Sequence, residues 1–348
     1  MRAIEVTRQG SPVAEHVRVT SQRDTPSPGP GDVRFRTEAS ALNHLDLWVG
    51  RGLPGLDTKF PAVTGSDGCG IVESVGAGVD AAWIGRRVLL NAAIVRPAPD
   101  HPDQVAAGED IHMIGEHSDG TMAEFFVAPA ANLVAVDGVD PVQATAFGLT
   151  HLTAWRMLVT RARVQPGQTV LVTGIGGGVA LAALGIARHL GCTVIVTSRS
   201  AEKLDRAKAL GAAHGVLDDG SDWSRVVRAA TGRRGVDVVI DSIGKGVHLA
   251  SIKSLARGGC FVTCGCTTGA DAVTDLARVF WNQLSILGST MGSMQEFHAV
   301  TALLKSGAVR PVIDSVVPPE RGAEAYARLE SGTQFGKVLV DWRSNSGR

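Results

Sequence analysis

The chain has no excess of charge of either sign: 34 Lys and Arg residues balance 34 Asp and Glu residues over 348 positions. No basic face is advertised, which argues against a nucleic-acid partner. Cysteine is scarce and odd in number, at Cys69, Cys192, Cys260, Cys264 and Cys266, and no Cys-x-x-Cys pair occurs. Such a set suits free, mostly buried thiols in a reducing cytoplasm rather than a disulfide framework. The spacing in Cys264-Gly-Cys266 is wrong for a zinc knuckle. Tyr326 is the only tyrosine, and it falls in a helical segment near the C-terminus, where packing is its expected role. Met1 to Val6 lacks the apolar core of a signal peptide. One charge-free run, Thr169 to Ala187, approaches the length of a membrane span, about 20 residues. Gly174, Gly176, Gly177 and Gly178 interrupt it and Arg188-His189 follow, so it reads as strand, glycine turn and buried helix. No membrane span is expected, and the expected location is the cytoplasm.

What is abundant is glycine, with 42 residues gathered at the ends of apolar runs. That distribution suits an α/β protein with tight strand-to-helix turns. The length predicts two domains, at roughly 150 residues each. The first third reads as β-rich: Arg2–Thr7, then Asp32 to Ala39 in half-buried alternation after the stiff Pro26-Ser-Pro-Gly-Pro-Gly31 turn, then Gly70–Gly76, Arg87–Leu90 and Met122–Val127. Asn91 to His117 reads as a polar surface lobe.

From Pro141 the pattern changes. A helix is predicted over Val142–Val159, and strands then alternate with helices. The strands are Thr169–Val172, Thr193–Thr197, Val216-Leu217, Val236–Ile240, Cys260–Cys264 and Ser285–Leu287. The helices are Val179–Leu190, Ala201–Leu210, Trp223–Ala230, Val247–Leu255 and Phe297–Leu304. Six strands joined by helices imply right-handed βαβ units and a doubly wound parallel sheet, the Rossmann arrangement. The tail reads as strand (Val309–Val317), helix (Gly322–Leu329) and strand (Lys337–Val340), and it could pair with the first third to close an interrupted domain.

The segment Val170-Leu-Val-Thr-Gly174-Ile-Gly176-Gly177-Gly178-Val179-Ala180 is a loose dinucleotide fingerprint. An apolar strand ends in glycines that let a pyrophosphate approach the backbone, and a helix N-terminus with free N–H groups follows. Ala180 stands where a third glycine often brings helix and sheet together. A glycine-rich turn also serves purely structural corners. The surrounding βαβ unit, of about 30 residues, favours the binding reading. The second strand should end beside the adenosine ribose, where an acidic residue would select NAD. Ser198-Arg199-Ser200 stands there instead, with Lys203 one turn on. Hydroxyls and cations suit a 2′-phosphate and favour NADP(H), unless Arg199 and Lys203 are simply solvated charges.

Together these segments resemble the medium-chain dehydrogenase/reductase superfamily over almost the whole chain. The matching pieces are Pro28-Gly-Pro-Gly31-Asp-Val, Ala41-Leu-Asn-His-Leu-Asp46, Gly65-Ser-Asp-Gly68-Cys-Gly70, Gly120-Thr-Met-Ala-Glu124, Leu152-Thr-Ala-Trp155, the glycine turn and Phe335-Gly-Lys-Val338. The resemblance implies a β-rich GroES-like catalytic domain from 1–137 and 308–348, a Rossmann domain from 138–307, a cleft between them, and a homodimer or homotetramer built through the Rossmann sheet edge. The zinc-dependent members hold a catalytic metal with three side chains. Those positions fall on Asn43, Ser66 and Leu149 here. The four-cysteine structural-zinc lobe is missing too, since residues 70 to 191 contain no cysteine, and His101, His112 and His117 match no metal motif. The chain therefore resembles the zinc-independent, quinone-oxidoreductase-like branch.

That resemblance places Asn43, His44, Asp46 and Asp67 as catalytic candidates. Asn43 would bond cofactor or substrate, His44 would donate a proton, Asp46 would hold its loop, and Asp67 stands at the family's Glu position. His151 is a weaker acid–base candidate among helical core neighbours. Trp48 and Arg51 are candidate walls of the substrate cleft. Cofactor contacts are expected from Thr153, Gly174, Gly176, Gly177, Gly178, Val179, Ser198, Arg199, Lys203, Cys264, Gly265 and Lys337. Without a Lewis acid, simple alcohol oxidation is harder to explain than reduction of a conjugated double bond or quinone. The expected activity is therefore NADPH-dependent reduction of an enone or quinone. Two alternatives stay open: a zinc-free alcohol or carbonyl dehydrogenase, and a cofactor-binding protein with little catalysis that serves as sensor or scaffold.

Overall fold

A computed structural model of the chain describes residues 1–53, 55, 57–95 and 111–345. It forms two compact units, one of Met1–Leu149 with Ser293–Arg348, the other of Thr150–Gly292. The first unit opens with β1 (Ala3–Val6), β2 (Val17–Thr20), β3 (Asp32–Ala41), α1 (His44–Arg51), β4 (Asp67–Val75), β5 (Arg87–Leu90), β6 (Ala93–Val95), β7 (Ile111–Met113), β8 (Phe125–Pro129) and β9 (Leu133–Ala135). The division falls within α2 (Pro141–Trp155), which continues as a π-helical segment, Arg156–Arg161.

The second unit holds β10 (Thr169–Val172), α3 (Gly178–His189), β11 (Thr193–Ser198), α4 (Ala201–Ala209), β12 (His214–Leu217), α5 (Ser224–Ala230), β13 (Val236–Asp241), α6 (Lys245–Ser254), β14 (Leu255–Thr263), α7 (Leu276–Asn282) and β15 (Ser285–Gly288). The chain then returns to the first unit with α8 (Met294–Ser306), β16 (Ile313–Val317), α9 (Gly322–Glu330) and β17 (Lys337–Asp341). In this division the second boundary lies at 292/293, so α8, expected with the Rossmann part, groups with the first unit. α8 packs on β9, and the Asn91 amide reaches Met294 Sδ at 3.5 Å.

The second sheet runs β12-β11-β10-β13-β14-β15, every pair parallel. Val170, Leu171 and Val172 of β10 are fully buried, as expected for an apolar strand covered on both faces. Chain order reverses between β10 and β13, the switch point where a doubly wound sheet opens its ligand crevice. The charge-free run from Thr169 is thus a strand, a turn and α3. Among the described residues no helix is long and apolar enough to cross a membrane.

The first sheet runs β16-β17-β3-β4-β5-β9, with β8 also paired to β3. β3 alternates only at its start, with Val33 and Phe35 buried and Arg34 and Arg36 not, and is continuously buried from Thr37 to Ala41. Its first half pairs β8 and its last residues pair β17, so the tail does close this sheet. Ala41 is registered with both Asp67 of β4 and Leu339 of β17. That register gathers three distant stretches of sequence around the end of β3.

Candidate active site

Asn43 follows β3 by two residues and precedes α1. Its backbone N–H donates to Asp46 Oδ2 at 2.6 Å, and Asp46 Oδ1 accepts from Gly65 N–H at 2.7 Å. Asp46 is completely buried and clasps the loops before α1 and β4. Burial pushes its pKa up to about 6, against the pull of the Asn43, Thr64 and Gly65 hydrogen bonds and the Lys337 charge. Thr64 extends the network to Tyr326, whose hydroxyl lies 2.5 Å from Thr64 Oγ1. Burial raises that phenol, and the Asp46 charge raises it further.

The Lys337 ammonium stands at the centre of the site. Its side chain is 5% exposed and that of Asp67 is 0% exposed, with 2.9 Å between Nζ and Oδ2. Nζ also donates to Leu42 O at 2.8 Å and to Asn43 Oδ1 at 2.6 Å, so its three donors are all used. Asp67 receives two more bonds, from Asn43 Nδ2 at 2.9 Å and from Leu149 N–H at 2.6 Å. These partners orient the Asn43 amide without ambiguity. An ammonium can only donate, so the oxygen faces Lys337; a carboxylate accepts, so the nitrogen faces Asp67. The second N–H of the amide has no acceptor among the described residues.

In the second unit the glycine turn joins β10 to α3. Gly174 and Gly176 have φ of 63° and 119°, values that favour glycine. Gly177 has φ −75°, which any residue adopts. Its use is space: a Cβ there would meet nothing closer than Gly174 O at 4.0 Å. α3 starts at Gly178, so the N–H groups of Gly178 and Val179 are in the first turn, where no intrahelical acceptor exists. Ser198 ends β11, and its hydroxyl accepts from Ser200 N–H. Arg199 is exposed, and the Lys203 side chain crosses Gly176, where a Cβ would lie 2.9 Å from Lys203 Cδ and 3.3 Å from Nζ. Cys264 and Gly265 follow β14, and burial pushes the Cys264 thiol up to about 12.

Two family models match the chain: the alcohol dehydrogenase GroES-like domain over residues 29–138, and zinc-binding dehydrogenase over residues 178–306. The zinc-type alcohol dehydrogenase-like protein YogA of Leptosphaeria maculans is 31% identical, over 91% of this chain and 92% of that protein. The 2-haloacrylate reductase of a Burkholderia species is 32% identical, over 97% of this chain and 98% of the reductase. The crystal structure of an NAD-dependent alcohol dehydrogenase superposes with TM-score 0.90 at 40% identity, covering 98% of this chain and 99% of that one. The chain belongs to the medium-chain dehydrogenase/reductase superfamily. It is an oxidoreductase of that superfamily, whose members bind a nicotinamide cofactor.

Within the superfamily frame the predicted residues fall into three groups. Asn43, Asp46 and Asp67 converge with Lys337 in one network. Lys337 was expected at the cofactor; all three of its donors are instead committed inside this network, which leaves none for a dinucleotide. His44, Trp48 and Arg51 lie on one partly exposed flank of α1, and none of them bonds to Asn43, Asp67 or Lys337. His44 packs edge-on against Trp48 at 5.2 Å, and burial, then the Arg51 charge, lower its pKa. Its imidazole is therefore neutral near pH 7 and a poor proton donor. Arg51 pairs with Glu330 at 2.6 Å, tying α1 to α9. The third group, in the second unit, surrounds the glycine turn and the ends of β11 and β14. Thr153 is also in that unit; its hydroxyl is buried and has no partner among the described residues.

Sequence reasoning missed Gly148, Thr64 and the Leu42 carbonyl. A Cβ on Gly148 would lie 2.3 Å from Asp67 Oδ1, so only glycine lets α2 seat on that carboxylate. No local signal marks Gly148, because its neighbour is 81 residues away in sequence. Of the three histidines in the polar lobe, His101 lies outside the described residues. His112 bonds Ser118 Oγ and His117 accepts from Met113 N–H, so both are used within the loop.

Proposed function

We propose that this oxidoreductase uses NADP(H) to reduce the conjugated double bond of an enone, or a quinone, without a zinc ion. The observation that carries this reading is the Asn43 amide, oriented so that it presents an N–H and flanked by a buried ammonium. Addition of hydride to a conjugated carbon drives negative charge onto the carbonyl oxygen. A fixed N–H at that oxygen stabilises the charge as it forms and needs no reorganisation. The nicotinamide, when bound, supplies the hydride. Asn43 binds the oxygen; Lys337 and Asp67 hold the amide; Asp46 holds the loop that carries it.

The donor set does not suit zinc. Of the three positions where the superfamily's catalytic ligands fall, Leu149 has no ligating side-chain atom. Ser66 donates its hydroxyl to Ile114 O, and Asn43 Oδ1 accepts from Lys337. Zinc sites take thiolate, imidazole or carboxylate donors, and an ammonium beside a divalent ion adds repulsion. NADP(H) is supported by the end of β11, where Ser198 and Arg199 replace an acidic residue and Lys203 reaches over the turn. The orphaned Thr153 hydroxyl gives the cofactor a further partner.

The alcohol dehydrogenase named above favours a second reading, a zinc-free carbonyl or alcohol dehydrogenase. A substrate panel separates the two. Enones and quinones are expected to be reduced at least tenfold faster than aldehydes, with NADPH ahead of NADH, by protein whose metal analysis shows far less than one zinc per chain. Turnover confined to alcohols and aldehydes, lost together with stoichiometric zinc, overturns the proposal.

An open sheet edge supports the expected assembly. β15 borders the second sheet with Ile286 exposed, and Leu276, Phe280 and Trp281 of α7 are about 70% exposed. Exposed apolar side chains beside a strand edge that has no partner among the described residues suit a second copy of the chain, as a homodimer or a homotetramer. Sedimentation of Phe280→Glu should yield monomer, and an unchanged mass rules this edge out.

A further inference from the structure

The geometry assigns Asp241 as a positioning residue that holds the nicotinamide half of the dinucleotide cradle. Asp241 ends β13, beside the switch point, and is 1% exposed. Its Oδ1 accepts from the Thr173 hydroxyl at 2.6 Å and Ile243 N–H at 3.1 Å. Its Oδ2 accepts from Gly244 N–H at 3.0 Å, and Thr263 Oγ1 lies 3.3 Å away. Thr173 leads from β10 into Gly174, and Thr263 leads from β14 into Cys264 and Gly265. One carboxylate therefore gathers the C-terminal ends of three adjacent strands.

The loops beyond those ends are built as one layer. Thr268 N–H donates to Ile243 O at 2.9 Å, and Lys245 N–H donates to Gly269 O at 3.0 Å. Gly244 has φ 86°, and a Cβ on it would lie 2.7 Å from Cys266 Cα. Ile243 also covers the glycine turn, since a Cβ on Gly174 would lie 2.6 Å from Ile243 Cδ1. Moving Asp241 thus moves both loops and the roof of Gly174 together.

The half of the ligand concerned follows from topology. In a doubly wound sheet the adenosine ribose lies at the end of the second strand, here β11, and the dinucleotide straddles the switch point. The other half then lies over β13 and β14, where Asp241 is the tie. Thr173, Ile243 and Gly244 donate to the carboxylate, and the Thr263 hydroxyl is shared between it and Gly265 O at 3.0 Å, so its role is to position.

This assignment rests on the dinucleotide reading above, and one set of titrations tests both. Asp241→Asn keeps the shape but turns an amide NH2 toward a backbone N–H. In calorimetric titrations it should bind NADPH at least tenfold more weakly than the parent. Adenosine 2′,5′-bisphosphate, which carries only the adenosine half, should bind within threefold of the parent. A residue that merely supports the fold would weaken both ligands alike, and that outcome overturns the assignment, as does unchanged NADPH affinity. Failure of the parent itself to bind NADPH overturns the cofactor reading, and the assignment with it. If Asp241→Asn does not fold, Thr263→Val removes the link from Asp241 to β14 together with the hydroxyl's two bonds to the Gly265 backbone. It should show the same split at threefold or more, and its absence is equally decisive.

Discussion

Replacing Lys337 by methionine removes the one cation from the network around Asn43 while keeping an unbranched apolar stem. The partners have side chains 5% and 0% exposed, so the Asp67 carboxylate is stranded where water does not reach. Leu149 N–H and Asn43 Nδ2 still donate to it, which softens the loss without supplying a charge. Removing one partner of a buried ion pair costs about 3–5 kcal/mol. Against a folding free energy of roughly 5–15 kcal/mol, that is a large share but leaves a folded protein. Leu42 O and Asn43 Oδ1 also lose their donor, so the amide is no longer held. Loss of one oriented donor at a developing oxyanion lowers kcat by about 10²-fold or more. The double variant Lys337→Met/Asp67→Asn carries neither charge and should recover about 2 kcal/mol relative to Lys337→Met alone, without recovering turnover. Urea unfolding followed by circular dichroism at pH 7, with steady-state rates on an enone, measures all three proteins. Lys337→Met within about 1 kcal/mol of the parent, or a double variant no more stable than the single, refutes the stranded-charge argument.

Asp46 makes stability depend on pH. Its pKa is raised to about 6 from 3.8, so between these values the folded chain keeps a proton that the unfolded chain has released. Its contribution therefore falls as pH rises through that window and settles about 3 kcal/mol lower above it. Asp46→Asn, although less stable overall, should lack this slope in urea titrations from pH 4 to 7; an identical slope removes Asp46 from the account. Gly177→Val has an ordinary φ and open space around it, so the fold should survive while NADPH affinity drops about tenfold, or about 1.4 kcal/mol, by fluorescence titration. Gly176→Val, at φ 119° and against Lys203, should instead lose stability as well. If Gly177→Val binds like the parent, the phosphate site lies elsewhere. Ser198→Asp with Arg199→Ala should weaken NADPH more than NADH in the same titration, and equal losses would mean that these residues do not read the 2′-phosphate.

Local pattern carried most of the second unit. The alternation of apolar strands with glycine-stopped helices placed all six strands of its sheet, because a parallel strand buried on both faces must be a continuous apolar run. The glycine turn was legible for the same reason: strand, glycines and helix are contiguous. Boundaries were less so. β14 begins at Leu255, earlier than Cys260, since it pairs β13 through a bulge that no local signal announces. The short helix α1 was not read at all, because His44 to Arg51 mixes buried and half-buried residues without a clear stripe.

The sequence alone determined the two-part architecture and the strand–glycine–helix turn, and it shows Asn43, Ser66 and Leu149 where the resemblance puts metal ligands. Each of these depends on residues adjacent in the chain or on the identity of a single side chain. Only the tertiary structure decided what Lys337 does. Its partner Asp67 is 270 residues away, and the two meet because β17 and β4 flank the end of β3. The orientation of the Asn43 amide, the need for glycine at 148 and the gathering of three strand ends by Asp241 are of the same kind. They are hydrogen bonds and close contacts made across a sheet, where register sets which side chains meet.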